Sequence, residues 1–599
     1  MISARLLIAD SAYKKYIFPV RGRFYNFSRK FIGEMAADFA AEISGVISGV
    51  DSSSSVIAIA RNSVRENFRL NFFSGDTDFS DIVAYEQKLS DKLVEFDLFL
   101  GAEKKHSPDD DFFENRILVS VVKKVVSRGF EFPNYDLLED FLPIRFSDWD
   151  SEAVDLFYGA LLRVTTPDFW EKIFLFIRSQ WREARARAQG RVCKTVSPYL
   201  SSASLREFID KISSTEKFLD KFFLEDSDGE QIELRDAYKS GNSNPANRRR
   251  ELMLRLRATD EYFMSLNYRG YFLTITAPSS YHANKINGLN TRCDCFEVRE
   301  THRYMCGIWR NIFRKFARDN IAAAGYRLVE PHHDGTPHWH CLIWFSPDNA
   351  DLALKIMQNY YTKTDFAEIA GRIETRFQAV EIDPQRGAAA YAAAYVAKNI
   401  DGHTLKIDLD SGLSGIDGAQ RAVAWARLHK IRQFQAFGVV GASAWREFRR
   451  VRKLPRDVHP VLADFWTAAD SGDFRKFLEL SQRHGPCGIH RSSTDFSGNE
   501  IRNCWGEKSN RIRGVRVLSG CGLQILQTRT TDWKIVPKNS DAIQRCGTIA
   551  DAVGFQGRDK IAPPWTSENN CPPLFLGNRE NYPNFNSLSG KEVEHVLRL

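Results

Sequence analysis

No apolar run in this sequence is long enough to cross a bilayer. The most hydrophobic stretch, residues 388–397, is about half of the roughly 20 residues that a spanning helix needs. The opening MISARLLIADSAYKKYIF lacks a sustained apolar core and a small-residue cleavage site, so no secretory signal is expected. Ten cysteines scattered between positions 193 and 571 are too sparse for a disulfide framework, which leads us to expect free thiols in a reducing cytoplasm. There is no internal repeat. The glycines of residues 412–418 carry no phosphate-loop lysine and no Walker motif is present elsewhere, so the chain is not expected to be its own helicase. Charge of one sign is also lacking: 83 Lys and Arg against 76 Asp and Glu leave only +7, which permits a nucleic-acid partner without demanding one.

What is present is a globular composition, 43% hydrophobic and 27% charged over 599 residues, enough for about three or four domains. Residues 1–190 read as a mixed, partly helical region with no recognisable chemistry, ending in the basic stretch RSQWREARARAQGR. Residues 191–265 read as a helical basic region, with RRRELMLRLR opening an amphipathic helix at Arg248. Residues 266–410 change character. Strands are expected over 270–277, 326–331, 338–345 and 373–383, and helices over 300–324, 351–361 and 387–400. The two central strands are separated by HHDGTP, whose Asp-Gly and Pro predict a hairpin turn. This β-α-β-β-α-β-α order implies an α+β fold with an antiparallel or mixed sheet and helices on one face. Residues 411–470 read as a basic helical extension, with one helix over 420–450. Residues 471–599, rich in Gly, Asn, Ser, Arg and Pro, are expected to be loosely folded.

The chemistry concentrates in the third region. On a strand side chains alternate, so His338 and His340 share one face while Trp339 enters the other. Glu330 lies on the facing arm of the hairpin. Two imidazoles and one carboxylate with open positions suit a catalytic Mg²⁺ or Mn²⁺ that also holds a phosphate oxygen. His332, His333 and Asp334 are rival third ligands. In YAAAYVAK, Tyr395 lies about 40° round the helix from Tyr391 and Lys398 about 20° the other way, so all three project from one stripe. A phenol on such a stripe can attack a DNA phosphate in line, leaving a 5′-phosphotyrosine that conserves the bond for rejoining. Two phenols permit two successive transfers.

At these residues the sequence closely resembles the HUH endonucleases and, more narrowly, the bacteriophage replication gene A protein family. The resemblance covers residues 241–450, through SNPANRRRELMLRLR, GYFLTITAPSSYH, EPHHDGTPHWHCLIWF, YAAAYVAKNI, AWARLHKIRQFQAFGV and AWREFRR. It implies an HUH core inside a larger, mostly helical protein. It further implies that His338 and His340 bind the metal, that Tyr391 and Tyr395 are the nucleophiles and that Lys398 assists. Glu330 matches a carboxylate found in related rolling-circle initiators. The implied activity is nicking of one strand of single-stranded or supercoiled origin DNA to start rolling-circle replication, with a host helicase and polymerase as partners. Arg248, Arg249, Arg250, Thr274, Thr276, Arg449 and Arg450 are the residues expected to contact DNA, with Trp425 and Trp445 available for base stacking. The rival readings are a relaxase or transposase of the same chemistry and a catalytically silent origin-binding protein. Cys293, Cys295 and Cys306, like His484, Cys487, His490 and Cys504, lack paired-finger spacing and are not read as zinc sites.

Overall fold

The structure is a computed structural model. It describes residues 36–41, 43 and 113–538, apart from 128–131, 142–143, 227, 286–287, 294, 404 and 520–521. At its centre are five strands: β1 (Arg269–Thr276), β2 (Ala324–Pro331), β3 (Pro337–Phe345), β4 (Phe377–Glu381) and β5 (Phe434–Phe437). Their order is β4-β1-β3-β2-β5 and every pairing is antiparallel. The hairpin predicted from Asp334-Gly335 joins β2 to β3. Gly335 has φ +79°, and a Cβ there would lie 2.7 Å from the Tyr199 carbonyl oxygen, so the turn requires glycine for both conformation and space.

Period-two alternation divides the sheet residues between two cores. Phe272, Leu328, Leu342 and Trp344 pack with α2 (Pro245–Ser265) and α5 (Ala388–Lys398). Leu273, Ile275, Val329, Trp339 and Ile343 pack with α3 (Val298–Arg318), α4 (Pro347–Thr362) and α6 (Gly415–His429). Helices therefore cover both faces, which corrects the one-face expectation. The cause is legible in β3, where both parities are apolar beyond His340 and both sides must be buried.

Three further expectations are corrected. Helix α3 ends at Arg318 instead of running to 324, because Asn320 turns left-handed at φ 54° and the chain enters β2 at Ala324. The single helix over 420–450 is α6, then the edge strand β5, then α7 (Ala442–Phe448). Lys430 (φ 52°) ends α6, and the FQAF that follows sends Phe434 to one core and Phe437 to the other, as only a strand can. Residues beyond 471 are not loose as far as they are described. Helix α8 (Phe474–His484) and a three-stranded sheet, β6 (Gly488–Ser492), β7 (Arg511–Ser519) and β8 (Gly522–Gln527), close over the first core through Phe477, Val515, Val517 and Leu526. The part of that expectation beyond 538 lies outside the described residues.

Before the sheet, the helix over Ser151–Val164 and α1 (Pro167–Ala188) form a third apolar cluster around Trp170. The basic end of α1 reaches the hairpin, where the buried Arg187 donates to the Asp334 carbonyl oxygen at 2.9 Å and the Thr336 hydroxyl at 2.8 Å. Among the described residues no helix is long and apolar enough to cross a membrane.

Candidate functional site

Strand β3 presents His338 and His340 on the face covered by α5, and the register sets their neighbours. Across β3 and β1, Thr276 stands opposite His338 and Thr274 opposite His340. The Thr274 hydroxyl is 3.2 Å from His340 Nδ1, and the Thr276 hydroxyl is 3.3 Å from His338 Nδ1. A hydroxyl that accepts from Nδ1–H fixes the tautomer whose Nε2 is free for an ion. Both threonines are among the residues expected to contact DNA, and both sit beside the imidazoles. We predict that Thr274→Val with Thr276→Val keeps the fold and weakens divalent-ion affinity by about 10–100-fold. Calorimetric titration with Mn²⁺ checks this, and unchanged affinity would remove the tautomer-fixing role.

On the other side of β3, Glu330 pairs in register with His338, and its Oε1 is 3.2 Å from His340 Nε2. Glu330, His338 and His340 offer three ligand atoms within 4.8 Å of one another. The rivals separate from them: His332 and Asp334 converge with His282 instead, and His333 belongs to neither group. The donor set of one carboxylate and two imidazoles fits a divalent ion with open coordination positions.

Electrostatics support this fit. Burial alone would push the Glu330 carboxyl up, but the Lys398 ammonium and the imidazoles outweigh it and hold the carboxyl at about 2. Burial and the neighbouring His340 push His338 well below its ordinary value, so it is a neutral donor at pH 7. Lys398 is itself buried, with Nζ 3.3 Å from Glu330 Oε1, bonded to Asp410 and 3.9 Å from Asp408. In this arrangement it serves the carboxylates of the site. The Glu330 carboxylate also accepts from Asn399 Nδ2 at 3.2 Å, and the Asn399 oxygen accepts from Gln433 at 2.7 Å.

Helix α5 places the phenols over this group. The Tyr395 ring centroid is 3.8 Å from that of His340 and 5.3 Å from that of Phe272. One turn earlier, the Arg386 guanidinium lies over the Tyr391 ring, 4.9 Å from the ring centroid, and the Tyr391 hydroxyl accepts from the Asp383 amide at 3.3 Å. Burial and the Glu330 and Asp410 carboxylates push the Tyr395 phenol up, so at neutral pH it is protonated. The start of α5 is fixed by the Asp260 carboxylate of α2, which accepts from the Ala388 amide at 2.7 Å and from Trp344 Nε1 at 3.1 Å. Gly387, just before the helix, takes φ +72°, a left-handed conformation that favours glycine.

The residues expected to contact DNA are less uniform. Arg249 is paired with Asp401 at 2.9 Å and Arg450 with Glu447 at 3.1 Å; Arg248 is half-buried against Phe434. Of that set, Arg250 and Arg449 are exposed and have no carboxylate partner among the described residues. Trp425 and Trp445 do not reach solvent. Trp425 donates to the Gly335 carbonyl oxygen at 2.9 Å, and Trp445 is packed between Phe474 and Phe477, so neither is placed to stack on a base. Sequence reasoning missed Asn399, Gln433, Asp408, Asp410 and Asp260. Their only advance signal was proximity in sequence to the tyrosine motif, and Gln433 and Asp260 lacked even that.

The chain is similar to known phage replication proteins. The family model described as bacteriophage replication gene A protein (GPA) matches residues 140–403. The replication gene A protein of Escherichia phage 186 is 34% identical over 423 residues, 69% of this chain and 59% of that protein. Its counterpart in Escherichia phage P2 is 33% identical over 445 residues, 70% of this chain and 56% of that protein. A probable replication endonuclease from a prophage-like region of Salmonella paratyphi A is 29% identical over 465 residues, 74% of this chain and 56% of that protein. The chain thus spans less than two thirds of each of these relatives. No solved structure matches. Residues 140–403, which carry both the histidine strand and the tyrosine helix, belong to the bacteriophage replication gene A protein family.

Proposed function

We propose that this chain is a metal-dependent endonuclease of the HUH type that nicks one strand at a phage or prophage replication origin and starts rolling-circle replication. The observation that carries the reading is the close approach of the Tyr395 ring to His340, 3.8 Å between centroids, which sets a nucleophile beside a carboxylate-histidine group. A Mg²⁺ or Mn²⁺ ion held by Glu330, His338 and His340 would draw charge from a non-bridging oxygen of the scissile phosphate. The Tyr395 oxygen attacks phosphorus in line and its proton passes to water, while the bond to the 3′ oxygen breaks and that oxygen takes up a proton from water. The products are a 5′-phosphotyrosine and a free 3′-hydroxyl. Because the phenol is held protonated in the resting site, it becomes a good nucleophile only when substrate and ion lower that cost together.

Tyr391, a turn away, takes the second transfer, which cuts the displaced strand and releases Tyr395 when the ends are joined. Lys398 keeps Glu330 ionised and oriented. The 3′-hydroxyl is the end a host polymerase extends, and strand opening falls to a host helicase. Residues Arg250 and Arg449 are the best placed of the arginines to meet phosphates. The test is incubation of supercoiled origin DNA with the full chain and Mn²⁺. The expected product is an open circle carrying covalently bound protein. Cleavage without attached protein, or binding with no cleavage across Mg²⁺, Mn²⁺ and Co²⁺, would reject the reading in favour of a water-using nuclease or a silent origin-binding protein respectively.

A further inference from the structure

The hairpin turn that supports the histidine strand carries a second convergence of ligand-type side chains. His282, just after the short turn Ser279–Tyr281, meets His332 and Asp334 from the loop between β2 and β3, with ligand atoms within 4.8 Å of one another. No residue is shared with the Glu330 group, although the His332 ring lies 5.8 Å from that of His338. Asp334 is fully buried, and its carboxylate is aimed by the Thr336 amide at 3.0 Å and the Asn284 amide at 3.3 Å, with Arg187 3.9 Å away.

Two features point to an ion instead of a hydrogen-bonded cluster. His282 Nδ1 is 3.6 Å from Asp334 Oδ2, longer than a hydrogen bond. It is near the ligand-to-ligand separation of about 3.4 Å implied by bonds of about 2.1 Å to a tetrahedral ion. His332 Nδ1 is buried without a hydrogen-bond partner among the described residues, an arrangement that native interiors rarely leave unexplained. Two imidazoles and a carboxylate are donors of the zinc class, with a fourth position left for water.

We propose that His282, His332 and Asp334 bind a second divalent transition-metal ion, separate from the one beside the tyrosines. It would tie the hairpin turn to the segment that follows β1. In this way it would fix the base of the strand that bears His338 and His340.

The test is metal content after chelation and re-equilibration with Zn²⁺, with Co²⁺ absorption reporting coordination geometry. It uses the full chain and the His338→Ala/His340→Ala variant. That variant is expected to retain one equivalent, and adding His282→Gln with His332→Gln is expected to remove it. In the wild-type background the same glutamine pair is expected to lower bound metal by one equivalent. These two positions are only partly buried, so the glutamines are expected to preserve the circular-dichroism spectrum; Asp334→Asn is the second variant should they not. Unchanged metal content on introducing these substitutions in either background would overturn the proposal, as would the absence of bound metal from a folded His338→Ala/His340→Ala chain.

Discussion

Changing both Tyr391 and Tyr395 to Phe is expected to abolish covalent attachment to origin DNA, by about 10⁴-fold or more, while leaving DNA affinity within about twofold. The loss is complete because no other phenol on α5 faces the ion group. Binding survives because phenylalanine keeps the ring that packs on Phe272 and His340 and removes only the oxygen. The single variants are expected to differ. Tyr395→Phe stops the first cut, since Tyr395 sits over His340. Tyr391→Phe, whose hydroxyl otherwise accepts from the Asp383 amide, leaves the first cut and blocks the joining step. Denaturing electrophoresis of the adduct measures all three, and equal adduct yields in the wild type and the double variant would eliminate the tyrosine mechanism.

The second large effect is expected at Glu330. Glu330→Gln removes a ligand charge and leaves Lys398 with one fewer buried partner, so Mn²⁺ affinity is expected to fall by about 100-fold and cleavage to reach background. Stability responds with a definite sign. The folded-state carboxyl is held at about 2 against an ordinary 4.5. Its contribution, about 3 kcal/mol, is therefore present above pH 4.5 and lost as pH falls from 4.5 toward 2. His338 is displaced downward, so the neutral form that the fold holds costs nothing above pH 6.5 and progressively more below it. Acid unfolding of the metal-free wild type should therefore steepen below pH 6.5. Glu330→Gln should be less stable at pH 7 yet lose less between pH 4.5 and 2. Thermal melts across that range check both. A variant as stable as wild type at pH 7, with full Mn²⁺-dependent cleavage, would show that the Glu330 carboxylate neither holds the ion nor anchors Lys398.

The parts of this site that were readable in the sequence are those whose geometry is local. Strand parity alone puts His338 and His340 on one face, and helical spacing alone puts Tyr391, Tyr395 and Lys398 on one stripe. The Asp334-Gly335 signal located the hairpin, and with it the carboxylate of Glu330. What was not readable depends on pairing register and on chain segments distant in sequence. Thr274 and Thr276 match the histidines in parity, but only the β1-β3 register brings each hydroxyl to an Nδ1. The Asn399-Gln433 contact needs β5, a four-residue strand hidden in what reads as helix because its flanks are basic and strongly helical.

The basic residues misled for a related reason. A charged run such as RRRELMLRLR signals a surface, yet tertiary contacts decide which charges stay free. Glu251 takes up Arg446 and Asp401 takes up Arg249. Tryptophans next to arginines look like stacking platforms, but Trp425 and Trp445 are fully buried core residues. Burial of that kind follows from the second and third layers of the protein, which the local pattern does not encode.

The most direct test of the central claim is to trap the adduct on an origin oligonucleotide labelled at the scissile phosphate and to map the labelled peptide by mass spectrometry. The account predicts label on Tyr395 during the first cleavage, with Tyr391 labelled only when a second cut is possible. Label on any residue outside 388–398, or cleavage that leaves no label on protein, would contradict it.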